Sequence, residues 1–566
     1  MTHVSSRGRW AAFLLVFSAA LLFALCTRHA WEDYWITFRA SRNFAEGHGL
    51  VFNPGDRLHT FTSPFGVLLP ALAFLLTGNH SDYAALWIFR VMSAAALGGA
   101  AWLLFSGARK AGYTPLVGAA LIAFVACDAK TLDFTINGME TGFLLLFLAW
   151  IFHTLLTQPA RAWLHLGLAW GGLMWTRPDS FIYVGALCAG VLLFNVRKVT
   201  GLTRAQWTKM LLAAGTVTVA VYSPWLIATK IYYGTPVPHT IIAKGFSNPP
   251  ITWDRFQEFA GNLPRQTWAG SNSFAATFLP SYFMGGGWPG WTIKVAAAFA
   301  ILCSLAWVLP FLRWEGRVAS LVFLVGHIYL SFVPYFPFPW YLPTTTLLGV
   351  IVLAALAQTL RDSFAGIQSA GVTLALLGTL ALGLIAFGLF GGRFVVGSAR
   401  QLAAAQRWIE DGNRKQIGLY LREHAGKTDT VLMEPLGYIG YFSQLKTYDF
   451  PGMSSREMVA ARKQVGSNWA ALINYLRPDW IVVRDDEKEN LVRSDSGICD
   501  YRYREEKIFD VSEALKKLNI PGKNYLEIDR RFTLLRRVEP VGAKRPTARC
   551  GENFLAEKQR RSRTSP

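Results

Sequence analysis

Glu32 and Asp33 stand side by side between two tryptophans, Trp31 and Trp35, a few residues past the first apolar run of the chain. Paired carboxylates suit acid–base work, one group taking a proton in the transition state. So close to a membrane span they are costly unless they line a polar cavity. The plainer alternative is the solvated acidic end of a loop. Their company bears on the choice. Asp128, Lys130, Asp133, Glu140, Arg177, Asp179, Lys230, His239 and Lys244 fall at span ends or in loops on the same side of the membrane, by the topology below. Singly, each has an ordinary explanation: Asp133 as a solvated side chain, Glu140 as complement to the dipole of the next helix, Arg177 and Lys230 as snorkelling cations. Together, acids mixed with cations at one interface suit an anionic lipid head group and a proton transfer.

The first-loop stretch from Trp31 to Pro64 must present the pair. Trp35, Ile36, Phe38 and Phe44 recur among Arg39, Arg42 and Glu46 at helical spacing. The turn Asn53-Pro54-Gly55-Asp56 follows, and Thr62-Ser63-Pro64 reads as a helix start, with a hydroxyl cap and proline at the first helical position.

The whole chain sets the class. Of 566 residues, 52% are hydrophobic and 16% charged, and the apolar ones come in runs, so the expected class is a polytopic helical membrane protein. The net charge of +20 belongs to short inter-span loops and to a basic tail rather than to nucleic-acid binding. Eleven spans are expected: 10–26, 83–105, 116–127, 143–156, 164–175, 181–194, 210–230, 294–312, 318–333, 340–358 and 372–390. Residues 65–77 are short for a crossing and read as a helix lying on the outer surface. With that choice Arg109, Lys110, Arg161, Arg197, Lys198, Arg313, Arg317 and Arg361 fall inside, with the N-terminus, as the positive-inside rule requires. The glycines of 285–287 read as a flexible loop. Arg90, inside its span, reads as paired or snorkelling.

The expected domains are residues 1–391 in the membrane, with a first outer loop at 31–82 and a large one at 231–293, then an extracytoplasmic α/β domain at 392–540 and a disordered basic tail at 541–566. In the α/β domain, residues 401–424 read as an amphipathic helix, 430–433 and 480–483 as short buried strands, and 469–476 as a helix. Cys26, Cys127, Cys188 and Cys303 read as small buried hydrophobes; Cys499 and Cys550 are either a disulfide or two unrelated thiols. No Walker loop, dinucleotide fingerprint, G-x-S-x-G or zinc spacing is present.

The order of elements resembles the C-type fold of membrane glycosyltransferases that use polyprenyl-phosphate sugars. The motifs are closer still. E-D-Y-W-I-T-F-R-A-S-R-N-F-A-E-G-H-G-L-V-F-N-P-G-D-R (Glu32 to Arg57), T-S-P (62–64), N-G-M-E-T (137–141), T-R-P-D (176–179), Y-Y-G-T-P-V-P-H-T-I-I-A-K (232–244), P-W-Y (339–341), E-P-L-G-Y-I-G-Y-F-S (434–443) and T-Y-D-F-P-G (447–452) resemble, in order, the mycobacterial terminal arabinofuranosyltransferase family and its uncharacterised bacterial relatives. Departures are Glu32 where Asp is frequent, His239 where Asn is common, and Glu434 where Asp is expected.

The resemblance implies an inverting transfer, possibility of arabinofuranose included, to an envelope glycan, lipid or protein acceptor at the outer face of a bacterial inner membrane. It makes Asp33 the catalytic base, with Glu32 second. Arg177, Lys230, His239 and Lys244 would hold the phosphate; Glu140 and Asp179 would position the sugar or those cations; Tyr34, Trp35, Trp340 and Tyr341 would stack on sugar or isoprenoid. The outer domain would grip the acceptor or cap the site. No cofactor is fixed by the sequence, and a divalent metal ion bridging acids and phosphate stays open. The rival classes are a transporter or flippase of lipid-linked sugars, expected to show internal repeats and midplane charges, and a non-catalytic assembly factor.

Overall fold

The structure is a computed structural model that describes residues 6–245, 250–268, 273–279, 289–333, 338–364, 392–493 and 503–538. The expected span at 372–390, the glycines of 285–287, Cys499, Cys550 and the basic tail lie outside the described residues.

Helices dominate the first 364 residues, as the apolar runs predict. Five described helices are long and apolar enough to cross a membrane: Ser6–Thr27, Asp82–Lys110, Arg204–Tyr233, Gly290–Val308 and Pro339–Ser363. A sixth crossing arises if Pro115–Cys127 and Ala129–Ile136, bent by 58° at their junction, count as one. The chain is therefore a multi-pass membrane protein. The expected short span at 116–127 is one arm of that bent pair, because Asp128 caps the second helix, accepting from the Thr131 N–H at 3.0 Å, and restarts the chain in a new direction. Helices approach closely through small residues. At Gly142 an added Cβ would lie 2.2 Å from the Ser93 carbonyl oxygen, so only glycine lets Thr141–Thr157 seat against Asp82–Lys110.

Residues 64–76 form the expected short helix, Pro64–Leu76, and the Ser63 hydroxyl accepts from the Gly66 N–H at 2.9 Å. Arg90 is fully buried and donates to the carbonyls of Ile136, Arg28 and His29 at 2.7, 3.0 and 2.6 Å. It thereby fixes the turn that leads into the acidic pair. At the other end of the bundle Tyr113, Arg313, Glu315 and Asp362 meet: the Tyr113 hydroxyl is 3.0 Å from Glu315, and Arg313 is 2.7 Å from Glu315 and 3.9 Å from Asp362.

The C-terminal part carries a five-stranded sheet, β1 (Thr430–Met433), β2 (Lys446–Asp449), β3 (Trp480–Arg484), β4 (Tyr503–Asp510) and β5 (Arg531–Arg537), in the order β2-β1-β3-β5-β4. β1 pairs in parallel with β2 and β3, while β5 is antiparallel to both β3 and β4. Side chains alternate between two cores: Val431, Met433, Trp480 and Val482 face one, Leu432, Ile481 and Val483 the other. The amphipathic helix leading into the sheet is present, but residues Ala405–Arg414 within it are wound as a π-helix.

Candidate active site

The helix Glu32–Ala45 places both acids in its first turn, where the positive end of the helix dipole favours them. Consecutive helical residues point about 100° apart, so the two carboxylates face different surroundings. Glu32 turns to the sheet domain. Its Oε1 accepts from the Gly437 N–H at 3.0 Å and its Oε2 lies 3.2 Å from Arg414 Nη1. Gly437 is required there, since an added Cβ would sit 2.1 Å from the Glu32 carbonyl oxygen. Arg414 is shared with Glu410, at 2.8 Å, and with Asp529. One guanidinium serving three carboxylates leaves them unequal. Burial pushes Glu32 up to about 8 and Glu410 upward, whereas the Arg414 and Arg484 guanidinium groups hold Asp529 below the usual range against its burial.

Asp33 is half-buried, and its carboxylate makes no hydrogen bond or ion pair with any described residue. Burial raises its pKa; Lys244 and Arg177 pull it back down, and Glu434 adds to the rise. Those two cations come from distant parts of the chain. Arg177 follows helix Ala162–Thr176, with Nη1 3.5 Å from Glu140 and Nε 3.3 Å from Asp179. Its guanidinium lies 4.2 Å over the Tyr341 ring, and the Tyr329 hydroxyl donates to Asp179 at 3.1 Å. Glu140 abuts the start of the Pro64–Leu76 helix, its Oε2 in the space that a Cβ at Gly66 would crowd. Lys244 ends the helix His239–Gly245, half-buried, with its ammonium 5.2 and 5.9 Å from the Phe338 and Trp340 rings. Burial lowers its pKa, and Asp33 opposes that. Trp340 stacks on Phe338 and stands edge-on to Trp31 at 5.9 Å, closing the group beside the acidic pair.

Of the residues singled out from sequence, Asp33, Glu140, Arg177, Asp179, Lys244, Trp340 and Tyr341 thus gather in one group, with Glu32 at its edge. Tyr34 and Trp35 instead fill an aromatic core with Phe38, Tyr438 and Tyr441, where the helix meets the sheet domain. His239 is buried against the backbone of Gly452 and Ser455, and its own N–H donates to the His59 carbonyl at 2.8 Å. Lys230 is exposed and donates to Gly234 at the end of its own helix, with no contact to the group. Asp128, Lys130 and Asp133 are buried in local pairs: Lys130 with Asp128 at 2.9 Å, Asp133 with His29 at 2.8 Å. Among the described residues no three His, Cys, Asp or Glu side chains are grouped as a metal ion would need.

Sequence reasoning missed Arg414, Glu410, Asp529 and Arg39. Arg39 is buried and donates to the carbonyls of Gly440 and Leu445 at 2.7 and 3.2 Å, docking the sheet domain. The one available signal was an arginine among the aromatics of the first-loop helix. Chemically, a carboxylate without a partner among the described residues, and pulled on by two nearby cations, offers a proton acceptor beside an anion-binding patch.

Residues 401–535 match a family profile described as a domain of unknown function (DUF8728). Over 327 residues, half of this chain, the sequence is 26% identical to a terminal beta-(1->2)-arabinofuranosyltransferase of Corynebacterium glutamicum, covering 44% of it. Over 288 residues, 45% of this chain, it is 27% identical to the protein of that name from Mycobacterium tuberculosis, covering 42% of it. The chain spans less than half the length of these curated relatives. Among solved structures, ArnT from Cupriavidus metallidurans bound to undecaprenyl phosphate aligns with a TM-score of 0.49 at 12% identity, over 95% of this chain and 100% of that one.

Proposed function

We propose that this chain is an inverting glycosyltransferase that moves a sugar, arabinofuranose on the pattern of its curated relatives, from a polyprenyl-phosphate donor to an envelope glycan, lipid or protein acceptor. The carrying observation is the Asp33 carboxylate, without a partner among the described residues and within the electrostatic reach of Lys244 and Arg177. The acceptor hydroxyl oxygen bonds to the anomeric carbon, the bond from that carbon to the phosphate oxygen breaks, and its electron pair leaves with the phosphate. Asp33 takes the hydroxyl proton. Lys244 and Arg177 offset the charge that grows on the phosphate. Glu140 and Asp179 hold the Arg177 fork, Tyr341 lies beneath it, and Trp340 lies beneath Lys244. His239 anchors the Lys244 helix to the sheet domain, and Lys230 takes no part. A divalent ion at Asp33 is not needed for these steps.

The proposed topology is a C-type arrangement of eleven crossings, residues 1–391, with the N-terminus in the cytoplasm and the active end and residues 392–540 outside a bacterial inner membrane. The meeting of Tyr113, Arg313, Glu315 and Asp362 supports it, because all four belong to loops or span ends assigned to the cytoplasmic side.

The test uses purified protein in lipid vesicles with a panel of polyprenyl-phosphate sugars, the arabinofuranose donor among them. Donor-dependent glycoside product with inverted configuration is expected. Movement of donor across the bilayer with no product from any donor would replace this reading with a flippase.

A further inference from the structure

A cleft opens on the Glu32 side of the acidic pair, lined by neither Lys244 nor Arg177. It has a volume of about 100 Å³ and runs between the membrane helices and the sheet domain. Its floor is the π-helical turn of Ala405–Arg414, and π segments recur at functional sites. The walls are aromatic on one side, with Trp31 and Phe134 from the membrane part and Tyr525 from the sheet domain.

Three features describe its ligand. Four carboxylates line the cleft, Glu32, Asp133, Glu410 and Asp529, against the two cations Lys130 and Arg414. The acids are at least as many as these two cations whether or not the upward-shifted Glu32 and Glu410 are ionised, so the cleft offers no surplus of cations for a phosphate and does not duplicate the cationic group around Asp33. Next, polar atoms are left over in the wall. Glu410 is 7% exposed, and its Oε2 is buried with no partner among the described residues, although Oε1 holds Arg414 at 2.8 Å. Arg414 Nε is likewise buried without a partner among the described residues. An acceptor and a donor on two side chains that line the same cleft, both desolvated, are satisfied together by a hydroxyl-bearing ligand and by neither an anion nor a cation alone. Finally, the volume is well below that of pockets for drug-sized ligands, about 300–1,000 Å³, which restricts the occupant to one small ring. Faces of tryptophan and tyrosine add an apolar surface for such a ring.

We infer that this cleft binds a single neutral sugar ring, the end of the acceptor glycan, through Glu410, Arg414, Trp31 and Tyr525. The assignment to the acceptor rests on the transfer reaction proposed above; the sugar site itself does not. Glu32 and Asp33 then divide the work. Asp33 faces the donor phosphate, and Glu32 borders the acceptor cleft while Arg414 and Gly437 fix it in place.

The experiment uses the full chain in detergent or nanodiscs, titrated with methyl α- and β-arabinofuranosides, methyl α-mannopyranoside and methyl phosphate, read by tryptophan fluorescence and saturation-transfer NMR. At least one methyl glycoside binds the wild type, and Glu410→Gln and Tyr525→Ala each weaken that binding about tenfold or more, while methyl phosphate is not displaced by the glycoside. Thermal unfolding of both variants checks that they fold; Tyr525→Phe, which keeps the ring, should retain binding and covers the case where Tyr525→Ala does not fold. Where transfer is measurable, both variants raise the acceptor KM and leave the donor KM unchanged. Glycoside binding lost in Glu410→Gln without any transfer activity would keep the sugar site and remove the transferase reading. Failure of every glycoside to bind the wild type, binding indifferent to folded Glu410→Gln, or methyl phosphate competing for the same cleft would overturn the inference.

Discussion

Replacing Asp33 by Asn should separate activity from stability. The substitution is nearly isosteric and removes only the ability to accept a proton. If Asp33 is the base, turnover falls by about 10²–10⁴-fold, or roughly 3–5 kcal/mol in the barrier. Stability should behave in the opposite way. The Asp33 carboxylate makes no bond to a described residue, so none is lost. Its pKa is raised by burial, so over the range between the ordinary and the raised value the folded state holds a proton that the unfolded state has released. Wild-type stability contributed by this group is therefore lost as pH rises through that window, and Asn escapes the loss. At neutral pH the variant should be as stable as the wild type or more so, with any decrease under about 1 kcal/mol. The assay pairs single-turnover transfer with chemical or thermal unfolding of the same reconstituted preparation. Transfer within tenfold of wild type would refute Asp33 as base. A loss of transfer accompanied by a large loss of stability would refute the claim that its carboxylate is free.

Lys244→Met removes a cation that lowers the Asp33 pKa, so the acid limb of the pH–rate profile should move to higher pH, measured as log kcat/KM against pH; a limb that stays put or moves down contradicts the pairing. Arg39→Met leaves the Gly440 and Leu445 carbonyls without their charged donor and should weaken the docking of the sheet domain by about 3 kcal/mol, seen as faster hydrogen exchange across residues 437–445. Gly437→Ala forces a methyl against the Glu32 backbone and should cost about 1–3 kcal/mol with a fall in kcat, whereas Gly234→Ala, with open space around it but a positive φ, should cost stability without that fall in kcat.

The parts of the molecule that show in the sequence are those governed by local pattern. Apolar runs mark the helices because lipid demands them, and Ser63-Pro64 marks a helix start because capping is a matter of neighbouring residues. The strands at 430–433 and 480–484 are buried on both faces and read as continuous apolar runs. β4, Tyr503–Asp510, escapes because an exposed edge strand is written in charges, and β2, Lys446–Asp449, because four residues carry no period. In the site, Asp33, Glu140, Arg177 and Lys244 were nameable as charges at span ends. Lys230 was nameable for the same reason and lies apart, since its position at a helix end is satisfied by its own C-terminal carbonyl. Arg414, Glu410 and Asp529 were invisible: Arg414 takes its meaning from Glu32 and Asp529, each more than a hundred positions away, Glu410 takes its own only through Arg414, and a π-helical turn has no compositional mark.

The Glu32–Gly437 hydrogen bond joins residues 405 positions apart, and Arg39–Gly440 and Arg42–Tyr441 span 401 and 399. The residues that orient the acid pair are therefore made long after it. Until the sheet domain has been made and folded, the first loop lacks the Gly437 N–H and the Arg414 guanidinium that hold Glu32. A chain stalled or cut before residue 430 would hold every expected crossing and still lack the support for Glu32.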